Sequence, residues 1–455
     1  MFPNPQDALP LPPRPSVEQY RKLAKDLVKA CRSDDPDAIG AWTDRWLASL
    51  SKATAGPGRP RGVREIDRAA AQLEDFATRR LKAGGADGCW LSEAQFVVAR
   101  SHGFDSWPKL VAHLDRLAHA GSDVAGFEAA ADAIVSGDEP ALRRLLAADP
   151  SLARAVSTRE HGATLLHYVS ANGVENYRQR TPPNIVAIAR ILLDAGAEVD
   201  AEADVYGGGS TPLGLVATSA HPRAAGVQIP LLQLLIERGA RIEPRGIAGH
   251  SHGVVMACLA NGCPEAAAFL AERVSHLDLV EAAGVGRLDL VTAFLDAGGE
   301  RAPAPGPDEV HSAFRHACFC GRTDVVEYLV ARRVDLAGHD GDGQTGLHYA
   351  AMGGQLETAR LLLEHGAPLE ARNQYGGTVL GQTLWSAAHG GDPRVFAPLV
   401  EALIEAGAKL YPEPPVNAEV DAVLIRHGCP PDPTLWWFGE KPREKKTTRS
   451  RPQRG

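Results

Sequence analysis

The sequence predicts an all-α protein: a stack of helical hairpins carried behind a smaller helical domain. Three observations predict this. A segment ending at Gly321 recurs 33 residues later and ends at Gly354. Within each copy the apolar residues fall at helical spacing, and a glycine closes the second helix. Aromatics make up only 6% of the chain, so its core must come mainly from Leu, Ala, Val and Ile. That composition suits helices packed closely through small side chains.

The clearest copy runs Thr345-Gly346-Leu347-His348-Tyr349-Ala350-Ala351-Met352-Gly353-Gly354, then Leu356 through Leu363 to His365-Gly366-Ala367. The copy before it reads Ser312 to Gly321, then Asp324-Val325-Val326-Glu327-Tyr328-Leu329-Val330. These strings resemble the ankyrin repeat, whose T-P-L-H-x-A signature opens the first helix and whose second helix ends at Gly-Ala. The resemblance implies an ankyrin-repeat solenoid of helix-turn-helix units with short hairpin loops. Looser copies start at Thr164 and at Thr211-Pro212, and a further pair spans Val254 to Val274. Leu279 to Gly298 follows as a truncated unit, and Thr378 to Ala408 closes the series. Ala129 to Asp149 reads as a first, capping pair. About eight units are expected across residues 124–428, three of them departing clearly from the period.

Each unit has a legible physics. Thr caps the first turn, and Pro212 sits where a missing N–H costs nothing. A lone unit buries too little to fold, so stacking supplies the core and stability is close to a sum over neighbours. Insertions at Arg178 to Pro183, His221 to Val227 and Gly390 to Pro393 fall between the first and second helix of their units. They should emerge on the edge opposite the hairpin tips, either as a working surface or as tolerated loop drift.

Residues 16–119 do not repeat. Val17 to Cys31 and Val63 to Lys82 are helix patterns, Ala53 to Gly62 reads as a loop, and Ser106 should cap a helix opening at Trp107-Pro108. The string from Leu91 to Leu114 resembles an N-terminal helical module seen before ankyrin repeats in a group of bacterial proteins. No activity comes with that resemblance. Residues 1–15 form a Pro-rich leader without a basic and then apolar run, expected to be disordered and not a signal peptide. Residues 430–455 are expected to be a disordered basic tail. Within it Trp436-Trp437-Phe438 either folds back onto the last repeat or serves as a docking element.

Charge and cysteines narrow the function. The net charge is -8, yet residues 440–455 carry +5, which leaves -13 on the rest. An acidic body is a poor nucleic-acid clamp, so only weak contacts of the tail with nucleic acid or an anionic surface are expected. No apolar run approaches the roughly 18–20 residues needed to span a bilayer. The seven cysteines are odd in number and irregular in spacing, which reads as reduced, buried thiols and a cytoplasmic home.

Chemical motifs are weak throughout. Gly341-Asp342-Gly343-Gln344-Thr345-Gly346 matches G-x-G-x-x-G in letters but lies at a repeat turn, with Gly346 where Pro is usual. His311, His316, Cys318 and Cys320 have the wrong spacing for tetrahedral zinc, and Cys318 aligns with the small core residue Ala351. His167 and His348 occupy the T-P-L-H position, where the family uses imidazole to tie hairpin to helix. No cofactor, metal or catalytic residue is therefore expected, and the chain reads as a scaffold for an unidentified protein partner. The candidate contacts are His339, Asp340 and Asp342 on one hairpin and Arg372, Asn373, Gln374 and Tyr375 on the next. Earlier hairpins offer Glu202, Asp204, Tyr206 and Arg245. The alternative is an enzyme, or a regulatory subunit of one, with its activity in residues 16–119.

Overall fold

A computed structural model describes residues 4–54, 63–83, 88–242, 253–296, 305–389, 392–410 and 416–428. Arg245, the glycines of the third insertion, Cys429 and the whole tail with its Trp436-Trp437-Phe438 motif lie outside the described residues. The chain divides into two units, Met1–Val274 and Ser275–Gly455. Among the described residues every named element is helical, with no strand beyond isolated bridges.

The first unit opens with α1 (Val17–Cys31), α2 (Ala38–Thr54), α3 (Val63–Lys82), α4 (Leu91–Ser101) and α5 (Trp107–Leu117). α1 starts on a reciprocal cap between Ser16 and Gln19 and buries Tyr20, Ala24 and Leu27. These meet Trp42 and Trp46 of α2, Leu73 and Leu81 of α3, Val97 and Val98 of α4, and Leu110 and Leu114 of α5 in one core. The scarce aromatics are thus concentrated here, where five helices need large fillers. Ser106 occupies the cap position of α5, but its side chain makes no capping bond, contrary to expectation.

The Pro-rich leader does not trail. Leu9 is buried, its N–H donates to Ser101 O at 2.7 Å, and the Nδ1–H of His102 donates back to Leu9 O at 2.9 Å. The cysteines also depart from expectation. Cys31 and Cys89 form a disulfide that ties the end of α1 to the entry of α4. Spacing along the chain could not reveal this pair, because 58 residues separate two sites that the α1–α4 packing brings together. Cys258, Cys263, Cys318 and Cys320 are free and buried.

Helical hairpins follow: α6 (Asp123–Ser136) with α7 (Glu139–Ala148), then α8 (Ile185–Asp194), α9 (Pro212–Ala217), the short α10 (Ala220–Ala224), α11 (Gln228–Glu237), α12 (Val254–Ala260) and α13 (Pro264–Ala271). The unit at Thr164 forms a tight 3-10 turn over Leu165–Ser170 instead of an α-helix. Residues 174–178, which lead into the insertion at 178–183, fold inward and bury Val174, Glu175 and Arg178, whereas Arg180 and Pro183 of the insertion are exposed. There Arg159 joins Glu128 and reaches Glu175 at 3.2 Å, while Arg178 meets Glu128 and Asp132, both at 2.8 Å. His161 takes a bond from Ala163 N on Nδ1, so its Nε2–H faces Glu175 at 3.3 Å. Burial alone would raise the Glu128 carboxyl, but Arg159 and Arg178 outweigh it and hold the group at about 2. Glu175 is depressed further by the same balance, with His161 contributing. Both carboxylates are therefore ionised, and the lattice is one of charges.

The second unit contains α14 (Leu279–Val285), α15 (Leu288–Asp296), α16 (Pro307–Phe319), α17 (Thr323–Ala331), α18 (Gly346–Met352), α19 (Leu356–Glu364), α20 (Val379–Ala388), α21 (Pro393–Glu405) and α22 (Ala418–Arg426). The helices α14, α16, α18 and α20 pack side by side as an inner row, and α15, α17, α19 and α21 form an outer one. Gly321 and Gly354 turn each pair at φ +66° and +69°, and a Cβ on Gly321 would lie 2.2 Å from the Gln355 side chain. In α18, Thr345 caps the helix and its backbone N–H donates to His348 Nδ1 at 3.2 Å. The remaining His348 N–H points at Gly377 O of the next hairpin, 3.4 Å away. His167 does the same between Thr164 N and Ser210 O, at 3.1 Å each.

Two predictions follow from this packing. Burial holds His102 at about 3 and His113 and His167 at about 4, against an ordinary 6.5. The unfolded chain therefore binds the protons first, and the stability these neutral rings contribute is complete above pH 6.5 and lost as the pH falls toward 4. Each site changes stability by at most about 1.4 kcal/mol per pH unit in that window. A tryptophan-fluorescence melt, which Trp42 and Trp46 make sensitive to the first unit, should drop steadily between pH 7 and 5; a flat profile would contradict neutral burial. The second concerns Gly346, where the family usually has Pro. A Cβ there would stand 2.4 Å from the Phe314 ring. Gly346→Pro should therefore destabilise, by about 1–3 kcal/mol in a denaturant titration, despite restoring the usual residue.

Candidate functional site

The two hairpins carrying most of the candidate contacts are built from their own turn chemistry. In the first, His339 and Thr345 form an antiparallel bridge and Gly343 N donates to Asp340 O at 3.0 Å. Asp340 organises the tip: one oxygen accepts from Asp342 N and Gln344 N, both at 2.9 Å, and the other from the Tyr349 hydroxyl at 2.7 Å. Partial burial would raise this carboxyl, but those donors lower it. Burial and Asp340 together push Tyr349 up to about 12. The Gly-rich string that imitates a dinucleotide fingerprint is this tip and the capped start of α18.

The second hairpin repeats the device with a different side chain. Asn373 Oδ1 accepts from Tyr375 N at 3.1 Å and Gly377 N at 2.9 Å, and the residue is buried. Asn373 is thus a turn organiser and offers a partner little surface. Arg372 reaches Gly376 O at 2.6 Å along the outside of the turn. The tips are zipped together: Gln374 N donates to Asp342 O at 2.8 Å and its side-chain amide to Asp342 Oδ1 at 2.6 Å. Of the seven candidates in this unit, His339, Asp342, Arg372, Gln374 and Tyr375 are exposed, and Tyr375 stands out at 64%.

Sequence inspection missed the inner row beside these tips. Phe319, Met352 and Trp385 sit at the same position of successive repeats, 33 residues apart, and so do His316, Tyr349 and Gln382. They lie on α16, α18 and α20 (Phe319, Tyr349 and Met352 part-buried, Trp385 exposed at 46%). Tyr349 meets His316 and Phe319 at centroid distances of 6.3 and 6.4 Å, and Trp385 stacks on His389 at 4.3 Å. The signal was present in the 33-residue period, but attention to the core positions hid the neighbouring outward ones. Cys318, one residue before Phe319, is fully buried and burial pushes its thiol up.

The first unit holds two further features. Tyr206, a predicted contact, is half-exposed at φ 52° and its hydroxyl donates to Asn172 Oδ1 at 2.5 Å. It edges a recess with Gln6, Arg100 and Glu160. Beneath the leader lies a cavity of about 750 Å³, bounded by Pro10 to Pro15 on one side and Glu128, Asp132, Arg159, Tyr177 and Arg178 on the other. Its charged wall of Glu128, Asp132, Arg159 and Arg178 is paired within itself. Among residues 16–119 the buried rings His102 and His113 are held neutral, and His102 spends its Nδ1–H on the leader.

Among the described residues no helix is long and apolar enough to cross a membrane, and no group of three metal-binding side chains comes together. What the second unit displays is a ridge of zipped tips beside a strip of half-exposed rings. Residues 279–373 match the family model for ankyrin repeats in three copies, so this part of the chain is a run of ankyrin repeats.

Proposed function

We propose that the chain is a binding scaffold that holds a protein partner against the hairpin tips and inner helices of its second unit. Ankyrin repeats generally serve protein–protein interaction, and function in such stacks lives in the side chains they display. The observation that carries the reading is the zipped pair of tips. Asp342 and Gln374 fix two neighbouring hairpins in register, so His339, Arg372 and Tyr375 stand on one ridge. A solvated turn has no need to hold Tyr375 at 64% exposure beside Arg372, and Tyr and Arg are frequent interface anchors.

The repeat array is proposed to extend upstream over residues 124–428. Two features support that extension: bridges Val156↔Thr164 and Ala203↔Ser210 close hairpins as His339↔Thr345 does, and His167 bonds as His348 does. The resemblance of Leu91 to Leu114 to the bacterial helical module supports a bacterial-type protein. The free thiols fit a cytoplasmic home, whereas the Cys31–Cys89 bond favours an oxidising surrounding.

The test is a paired substitution. Arg372→Ala with Tyr375→Ala should weaken capture of the native partner about thirtyfold, the equivalent of about 2 kcal/mol, while leaving the melting curve unchanged. A partner that binds this variant as tightly as the wild type would move the contact surface elsewhere.

A further inference from the structure

We propose that the chain's own C-terminal segment, residues 429–455, docks through Trp436-Trp437-Phe438 on the strip formed by Phe319, Tyr349, Met352 and Trp385, and so competes in cis for the partner face. The proposal rests on the scaffold reading for its consequence, though the docking itself is measured separately. Four observations name this occupant.

The first is the distribution of exposed apolar side chains. In the second unit the large ones exposed among the described residues are Tyr375, Trp385, Val395 and Ile425, all beyond residue 370. A row of rings at a 33-residue repeat is a surface that a partner with flat apolar side chains can cover.

The second is charge. Residues 275–428 hold 21 acidic and 11 basic side chains, a net -10, while residues 440–455 carry +5. Opposite charges of that size steer the two together and make the contact salt-sensitive.

The third is reach. Seven residues lie between Gly428 and Trp436, and those eight Cα steps span at most about 29 Å when extended. α22 packs on α21 and α21 on α20, which carries Trp385. Two helix spacings amount to about 20 Å, so the aromatic triplet can reach the Trp385 end of the strip without strain.

The fourth is a precedent within the chain. Tyr168 occupies in its repeat the position that Tyr349 holds in the second unit, each following the capped Thr and His. Tyr168 is fully buried because the inserted segment folds over it: its hydroxyl donates to Glu175 at 3.3 Å and Arg178 lies 5.8 Å above its ring. The chain already covers this inner position with its own residues once, and the repeats from α16 to α20 contain no comparable insertion among their described residues.

The experiment uses the full chain. A labelled synthetic peptide of residues 429–455 is titrated by fluorescence anisotropy against the wild type and against the Trp436→Ala/Trp437→Ala variant. The variant, its own segment disabled, should bind the peptide at least tenfold more tightly than the wild type, and 0.5 M salt should weaken that binding. Adding Trp385→Ala, whose side chain is 46% exposed, should remove most of it while the melt stays unchanged. Equal binding by wild type and variant, or none to either, overturns the proposal, as does concentration-dependent dimerisation showing that the segment docks on a second copy. A partner lost with Arg372→Ala/Tyr375→Ala but unaffected by the tail variant would leave the scaffold reading standing and remove the competition.

Discussion

At two places one neutral imidazole ties a hairpin to the one that follows it. His348 takes the N–H of Thr345 on Nδ1 and offers Nε2 to Gly377 O in the following hairpin, and His167 makes the same pair with Thr164 and Ser210. The geometry works only for one tautomer with one proton. A charged ring would present two donors to a site that supplies one donor and one acceptor. Depth therefore serves the fold, because burial suppresses the second proton. Helix start, hairpin closure and contact with the next repeat all converge on this ring, which fixes where the tips lie and hence which side chains face outward.

The first unit adds a second constraint of opposite character. Glu128, Arg159, Glu175 and Arg178 are charged and buried together, and each carboxylate answers two guanidinium groups. Such a lattice gains little net stability over apolar packing, since desolvation offsets most of the Coulomb attraction. Its effect is on geometry. The Arg178 guanidinium lies between the Glu128 and Glu175 carboxylates, which favours one orientation for residues 174–178 at the inner face. The ring of His113, which burial holds neutral, and that of His161 complete the shell.

Much of this was legible in the sequence where local chemistry decides it. The ends of α1 and α3 fall at Val17, Cys31, Val63 and Lys82 as the apolar pattern indicates. The Thr–His pairs at Thr164 and Thr345 and the closing glycines marked the clearest repeat signals, and Cys318 proved as buried as its counterpart Ala351. What was not legible depends on contacts between distant residues. Glu128 and Arg178 stand 50 positions apart, and Arg178 sits in an insertion that sequence pattern assigns to the outside. Cys31 and Cys89 pair because two helices pack, and parity of the cysteine count is blind to that. Asp340 and Asn373 show a subtler dependence on local bonding. Polar residues at a turn look like contacts, yet short side chains there bond first to their own backbone.

The same periodicity that writes the core also writes the surface. A 33-residue step returns every helix position to the same orientation, so Cys318 and Ala351 face inward while the adjacent Phe319, Met352 and Trp385 face outward. Selection of small residues on one column therefore leaves the neighbouring column free to hold large ones at no expense to packing. In the first unit that freedom was removed by an insertion, which turned Tyr168 into core. In the second it persists from α16 to α20, where the column holds Phe319, Met352 and finally Trp385, the most exposed of the three. A growing apolar column on an acidic body favours a partner that brings flat rings and positive charge together. Within this sequence that combination occurs in the segment following α22, which is why the face and its competitor can be encoded in one chain.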